Sequence, residues 1–325
     1  MLKIAYIDRK ESIHSKNLCS SLSDFFDIKT FYGKDLIENR LPERELYDLI
    51  LIGEVDFIPD YLFSLDLPLV GISWTYDLNR LRLAKNSNSN DLVNLLKLDA
   101  ILVDCNFQRN YLMNIGYPND SVFQMPYGID LDFYKFTNHR KIGEKFKIYS
   151  NRRWEKGYGQ ETLFEACEIL KSRNFKFQIK IAGEGSIKNS ILSRFQNREL
   201  DECIELIGEV DALKNIQSIT SSNLFISASN SDGISVSILE SMALGTPILA
   251  TNIPTNYEFI EDSINGFLFS NGNAQDLAVK IMHISKTRNI NLITSAARRK
   301  VEAFANWDKN IHDFSSFLKC IINNH

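Results

Sequence analysis

Short apolar runs of about four to six residues, rich in Ile, Leu and Val, alternate along this chain with longer stretches whose apolar positions recur at helical spacing. Strands that read as unbroken apolar runs are buried on both faces, and the helices between them are what cover those faces. In the first half the pattern predicts strands at Leu2–Ile7, Ile28–Tyr32, Leu49–Ile52, Leu69–Ser73, Ala100–Val103 and Val122–Met125. Helices are expected at Ser12–Phe26 and Asn106–Ile115, and the polar tract Asn86-Ser-Asn-Ser-Asn90 is expected to be a loop tip.

The alternation then breaks and restarts. Pro126-Tyr-Gly-Ile-Asp130 is turn material and Thr137–Glu144 is polar, which places a domain linker there. Beyond it, strands are expected at Phe146–Ser150, Gln178–Ala182, Ile204–Ile207, Leu224–Ser227, Ile248–Ala250 and Gly266–Phe269. Helices fit Glu161–Lys171, Ser186–Phe195, Ala212–Thr220, Ser237–Ala243, Ala274–Ile284, Thr294–Phe304 and Trp307–Ile322. With 325 residues there is room for two cores. The expectation is an α/β protein of two Rossmann-like, doubly wound domains facing across a cleft, divided near residues 140 and 141.

Composition narrows the function. At 44% apolar and 24% charged the chain is ordinary globular material. No apolar run approaches the roughly 18–20 residues that span a bilayer. The opening Met1–Asp8 is too short and too quickly charged for a signal peptide, and fits a first buried strand. The five cysteines are scattered without CxxC spacing, so no disulfide framework or zinc site is indicated, and a cytoplasmic location is expected. A net charge of −4 argues against a nucleic-acid partner. The charge is uneven: residues 1–135 hold 14 basic and 20 acidic side chains, residues 136–325 hold 23 and 21. An anion site is therefore expected in the second half.

Open α/β sheets bind ligands beyond the carboxyl ends of their strands. The segment Ser227–Pro247 has that form: a strand end, a polar loop with Asp232-Gly233, then a helix start near Ser235–Ser237. The free N–H groups and dipole of such a helix bind anions without a basic side chain. Asp232 before the helix and Glu240 within it would repel phosphate unless they face sugar hydroxyls, the arrangement expected for a nucleotide sugar. Ser237-x-x-Glu240 is equally a capping box, in which Glu240 only serves the helix start.

The spacing resembles the signature of the group 1 glycosyltransferases (glycosyltransferase family 4): an acid, seven residues, Glu, then Met-Ala-x-Gly-x-Pro. Here these are Asp232, Glu240 and Met242–Pro247. The resemblance implies the two-domain GT-B fold, with the donor mostly on the second domain and no bound metal or other cofactor. It implies that Asp232 holds the transferred sugar and Glu240 the ribose. Ser150-Asn-Arg152-Arg153-Trp-Glu-Lys156 is similar to the family's basic segment, which grips the donor diphosphate; Arg152 is the stronger candidate, Arg153 the alternative, with Lys156 beside them. Gly183, Gly208, Gly233, Ile234, Ser235 and Val236 would complete the donor site. The closing helix, 306–325, would cross back to the first domain.

In that first domain, Asp77 ends a segment similar to the family's acceptor side and fits either an acceptor hydroxyl or a cap, and His14 lies just beyond strand one. Asp130-Leu-Asp132 spells a metal-binding D-x-D but sits in a turn. The resemblance implies a retaining transfer from a nucleotide-sugar donor to a glycan, lipid-linked or other hydroxyl acceptor, with at most weak peripheral membrane contact. A catalytically silent sugar-nucleotide binder, an epimerase and a phosphorylase are the alternatives. Three departures stand out: Asp232 replaces the usual Glu, Gly233-Ile-Ser235 stands where the loop usually has Gly-x-Gly, and Asp8-Arg-Lys-Glu-Ser12 holds no Gly-Gly pair after strand one.

Overall fold

The computed structural model describes residues 1–33, 41, 44–56, 58–74, 76–83, 89–137, 143–196 and 200–325. The chain divides into two compact units, Met1–Tyr127 with Trp307–His325, and Gly128–Asn306.

Unit one is a parallel sheet in the order β2-β1-β3-β4-β5-β6. Its strands are β1 (Lys3–Asp8), β2 (Asp27–Tyr32), β3 (Leu49–Ile52), β4 (Leu69–Ser73), β5 (Ala100–Val103) and β6 (Val122–Gln124). Successive side chains point to opposite faces. Ile4, Tyr6, Leu49, Leu51, Val70 and Ile72 therefore pack on one side, with α1 (Ile13–Leu22) and the closing helix (Trp307–Asn324) through Leu18, Leu22, Phe314 and Leu318. Ala5, Ile7, Ile50, Ile52, Ile101 and Val103 pack on the other, with Leu78, Leu81, Leu95 and Leu112. Helices at Tyr76–Leu83 and Ser89–Leu96 carry part of that cover; neither was expected, and Ser89 and Asn90 open a helix where a loop tip was predicted. Positions 86–88 of that tract, like 138–142 of the predicted linker, lie outside the described residues.

Unit two repeats the plan in the order β12-β11-β10-β7-β8-β9. Its strands are β7 (Phe146–Ser150), β8 (Phe177–Ala182), β9 (Ile204–Gly208), β10 (Leu224–Ser227), β11 (Ile248–Thr251) and β12 (Phe267–Phe269). With α5 as Gln160–Ser172 and α10 as Ala274–Ile284, its core joins Ile148, Ile179, Leu224, Ile226 and Leu249 to Leu163, Leu170, Leu277 and Ile281. The order reverses between β7 and β10, the switch point at whose carboxyl ends an open α/β sheet offers its ligand crevice.

The division between units falls after Tyr127 rather than near residue 140. The intervening stretch is tied to unit two by its backbone. Ile129 N–H donates to Ala305 O at 2.7 Å, Thr137 N–H to Leu244 O at 3.1 Å, and Arg298 Nη1 to Tyr134 O at 2.7 Å.

The turn after β7 touches the neighbouring loops at glycines. Gly159, with φ +72°, begins α5, and a Cβ there would stand 1.8 Å from Ala228 O. No flexible side-chain end is involved, so only backbone movement could relieve it. Gly159→Ala is expected to lower unfolding free energy by at least about 3 kcal/mol, read as a fall in the urea midpoint by circular dichroism.

Candidate active site

The loops leaving β7 and β10 meet at the crevice, and α8 (Val236–Ala243) starts beside them. Arg152, two residues past β7, donates from Nε to Ser229 Oγ at 3.2 Å and from Nη1 to Ser235 Oγ at 2.8 Å. Its Nη2 makes a short ion-paired contact with Asp232 Oδ2. Its guanidinium also lies 5.0 Å from the Tyr158 ring centroid. Only 11% of the Arg152 side chain and 18% of the Asp232 side chain are exposed. Burial pushes the Asp232 carboxyl up, and the Arg152 guanidinium opposes that push.

Glu240 sits in a separate set of bonds. Its Oε1 accepts from the Tyr134 hydroxyl at 2.6 Å and its Oε2 from Asn215 Nδ2 at 2.9 Å. Burial raises this carboxyl as well, with the two hydrogen bonds opposing. The capping-box arrangement of Ser237 and Glu240 is not formed. The helix starts one residue earlier, at Val236, with Ser235 as its N-cap, so Ser237 already lies inside the first turn and Glu240 in the second. Ser235 makes no side-chain cap because Arg152 takes its hydroxyl. The first N–H groups of α8 have no intrahelical partner, which keeps the helix end suited to an anion.

The remaining donor-side residues fall around the same crevice. Gly183 closes β8 with φ +107°, and a Cβ there would stand 2.6 Å from Arg152 O; its N–H donates to Gly208 O at 2.8 Å. Gly208 ends β9. Gly233 follows Asp232, Ile234 and Ser235 are buried, and Val236 is half-buried. Lys156 and Arg153 are exposed, outside the Arg152 cluster. The Asp130 carboxylate accepts the N–H groups of Asp132 and Phe133, both at 2.9 Å. It closes a local turn, so the D-x-D spelling is spent on its own backbone.

Sequence spacing missed Asn215, Tyr134 and Ser229. Asn215 precedes Glu240 by 25 residues and Tyr134 precedes it by 106. No local period joins such positions; only the sheet order does.

The two first-unit candidates differ in kind. Asp77 is 4% exposed, and its oxygens accept from Val55 N–H at 2.9 Å and the Ser73 hydroxyl at 2.7 Å. Ser73 in turn accepts from Gln108 Nε2 at 3.1 Å. Asp77 is thus a buried clamp between β4 and the loop after β3. His14 is half-buried, its ring edge-on to Tyr127 at 4.7 Å and 6.4 Å from Trp74. Burial pushes its pKa down.

Two parallel sheets with covering helices, the second carrying a paired Arg and Asp and a hydrogen-bonded Glu at its switch point, define the α/β fold of GT-B glycosyltransferases. The profile of the family "Glycosyl transferases group 1" matches residues 134–301. The chain belongs to that family. It is 25% identical over 198 residues, 59% of its length, to the amylovoran biosynthesis glycosyltransferase AmsK of Erwinia amylovora, covering 49% of that protein. It is 29% identical over 185 residues, 56% of its length, to the alpha-monoglucosyldiacylglycerol synthase of Streptococcus pneumoniae, covering 41% of that protein. The chain spans about half the length of the curated relatives it matches. Among solved structures, sucrose-phosphate synthase from Thermosynechococcus elongatus superposes with a TM-score of 0.82 at 14% identity, covering 100% of both chains. Anabaena HepE in complex with UDP and glucose does so with a TM-score of 0.79 at 14% identity, covering 98% of this chain and 100% of HepE. These two likenesses establish the fold. No helix among the described residues is long and apolar enough to cross a membrane.

Burial raises the Asp77 carboxyl from its ordinary 3.8 to about 6. Between those values the folded chain holds a proton that the unfolded chain has released, so stability falls as pH rises through that window. Asp77→Asn keeps an acceptor for Val55 and a donor for Ser73 but has no ionisation. Its stability, measured by urea unfolding at pH 4 and pH 7, should gain on wild type at the higher pH by up to about 3 kcal/mol.

Proposed function

We propose that this chain is a retaining, nucleotide-sugar-dependent glycosyltransferase that moves a sugar to a hydroxyl of a glycan or lipid-linked acceptor, in the cytoplasm and without a metal. The observation that carries this is the turn after β7. Its consecutive residues Asn151 and Arg152 are bonded respectively to Asn215, which holds Glu240, and to Asp232, beside the start of α8. Phosphates at that helix start would meet the Arg152 fork, which suits two phosphate oxygens. Asp232, released by the same exchange, would accept from hydroxyls of the transferred sugar, and Glu240 from the ribose.

In this assignment Arg152, Lys156 and the α8 N–H groups stabilise charge developing on the leaving diphosphate. The leaving phosphate oxygen takes the acceptor proton, so no side chain serves as base. UDP is the first nucleotide to try, because HepE carries it.

Two measurements test this. In a thermal-shift panel of UDP-, GDP-, ADP- and CMP-sugars, one nucleotide at 100 times its Kd should stabilise wild type by roughly 2.7 kcal/mol, a rise of a few degrees, and Glu240→Ala should lose most of it. Stabilisation by none of them would sink the donor assignment. Stabilisation without turnover of any acceptor would favour a silent binder. In a transfer assay, Arg152→Ala is expected to lower kcat/KM by about 10–100-fold, and unchanged activity would remove its role.

A further inference from the structure

Glu240 is steadied by a side chain that touches no catalytic position in the sequence. Asn215, on the helix Ala212–Thr220, donates from Nδ2 to Glu240 Oε2 at 2.9 Å. Its Oδ1 accepts from the Tyr149 hydroxyl and from Asn151 Nδ2, each at 2.9 Å. A side-chain amide can turn over and exchange its oxygen and nitrogen. Here that would set an oxygen against the Glu240 carboxylate, which only accepts, and give up the two bonds that Oδ1 takes. The carboxylate therefore keeps the N–H toward Glu240. Tyr149 lies in β7 at 0% exposure and Asn215 at 8%, so Tyr149 cannot meet a ligand. Each Glu240 oxygen keeps a lone pair after its one hydrogen bond.

We propose that Asn215 is a positioning residue for nucleotide recognition: locked by Tyr149 and Asn151, it fixes the Glu240 carboxylate as an acceptor for the 2′- and 3′-hydroxyls of a ribonucleotide. This rests on the placement of the ribose on Glu240. It adds a specificity device: a ligand lacking the two hydroxyls gains nothing from the network. The titratable groups facing the Asn215–Glu240 pair are the Tyr134 hydroxyl from the segment before β7 and the Tyr149 hydroxyl from β7 itself, and burial pushes the latter up.

The test is titration calorimetry on the full chain with UDP, GDP, ADP and CDP, each against its 2′,3′-dideoxy form. Wild type should prefer one ribonucleotide over its dideoxy form by roughly 10–100-fold. Asn215→Asp should lose that preference at pH 8, where two carboxylates face each other, with dideoxy affinity unchanged. Near pH 5.5 the introduced carboxyl, protonated beside Glu240, donates as the amide did, and the preference returns. Tyr149→Phe should reduce the preference several-fold, and it carries the test if Asn215→Asp fails to fold. A full preference in Asn215→Asp at pH 8, equal losses for ribo and dideoxy forms, or an unchanged preference in Tyr149→Phe would overturn the positioning role alone. No nucleotide binding by wild type, or binding without a hydroxyl preference, would overturn the ribose placement itself.

Discussion

The second unit is organised around a charge that has nowhere else to go. Arg152 is almost fully withdrawn from water and must be satisfied by protein, and it is: Asp232, Ser229 and Ser235 take its three donor directions, with the Tyr158 ring alongside. A largely desolvated ion pair adds little to stability, because each ion gives up hydration that the other only partly replaces. Its use here is geometric. It draws the β10 loop and the start of α8 onto the turn after β7, so that a helix end, a cation and a carboxylate share one crevice. The packing that allows this has no slack, since backbone meets backbone at Gly159 and Gly183.

The two acids of the site live under different rules. Asp232 answers to a cation, whereas Glu240 answers to two neutral donors, Tyr134 and Asn215. Any competitor for Arg152 would leave Asp232 without its cation, whereas the bonds that hold Glu240 do not involve Arg152. Asp232 meets only one arm of the arginine fork, Nη2, the other donors being taken by Ser229 and Ser235. Glycosidase-type catalysis uses two carboxyls working together across one bond; the separate partner sets of these two acids suit separate contacts along an elongated ligand.

The first unit uses its buried polar groups differently. Asp77, Ser73 and Gln108 form a chain inside the sheet edge, each satisfied by the next. That chain fixes the loops after β3 and β4. The half-buried His14 has its ring against Tyr127 and near Trp74, outside that chain.

The sheets, the doubly wound arrangement and the acidic pair were legible in the sequence. An unbroken apolar run such as Leu49–Ile52 or Leu224–Ser227 is stable only when covered on both sides, and the Asp232-to-Glu240 spacing is local to one loop and one helix. The helix Ser89–Leu96 was masked at its start, because its first two residues belong to the polar tract although Leu92, Leu95 and Leu96 recur at helical spacing. Nor was the boundary after Tyr127, which depends on backbone bonds from Ile129 and Thr137 to partners more than a hundred residues away. Tertiary structure alone decided which side chains serve the acids. Ser229 reaches Arg152 because β10 lies beside β7, while Tyr134, held through its carbonyl by Arg298, and Asn215, on the helix Ala212–Thr220, reach Glu240; hydrogen bonds are short-ranged while the sequence intervals they close are long. It also set the surroundings of the two acids with open roles: Asp77 is closed in by donors of its own unit, and Glu240 takes bonds from Tyr134 and Asn215 rather than serving a capping box, because which donors surround a carboxylate depends on long-range packing.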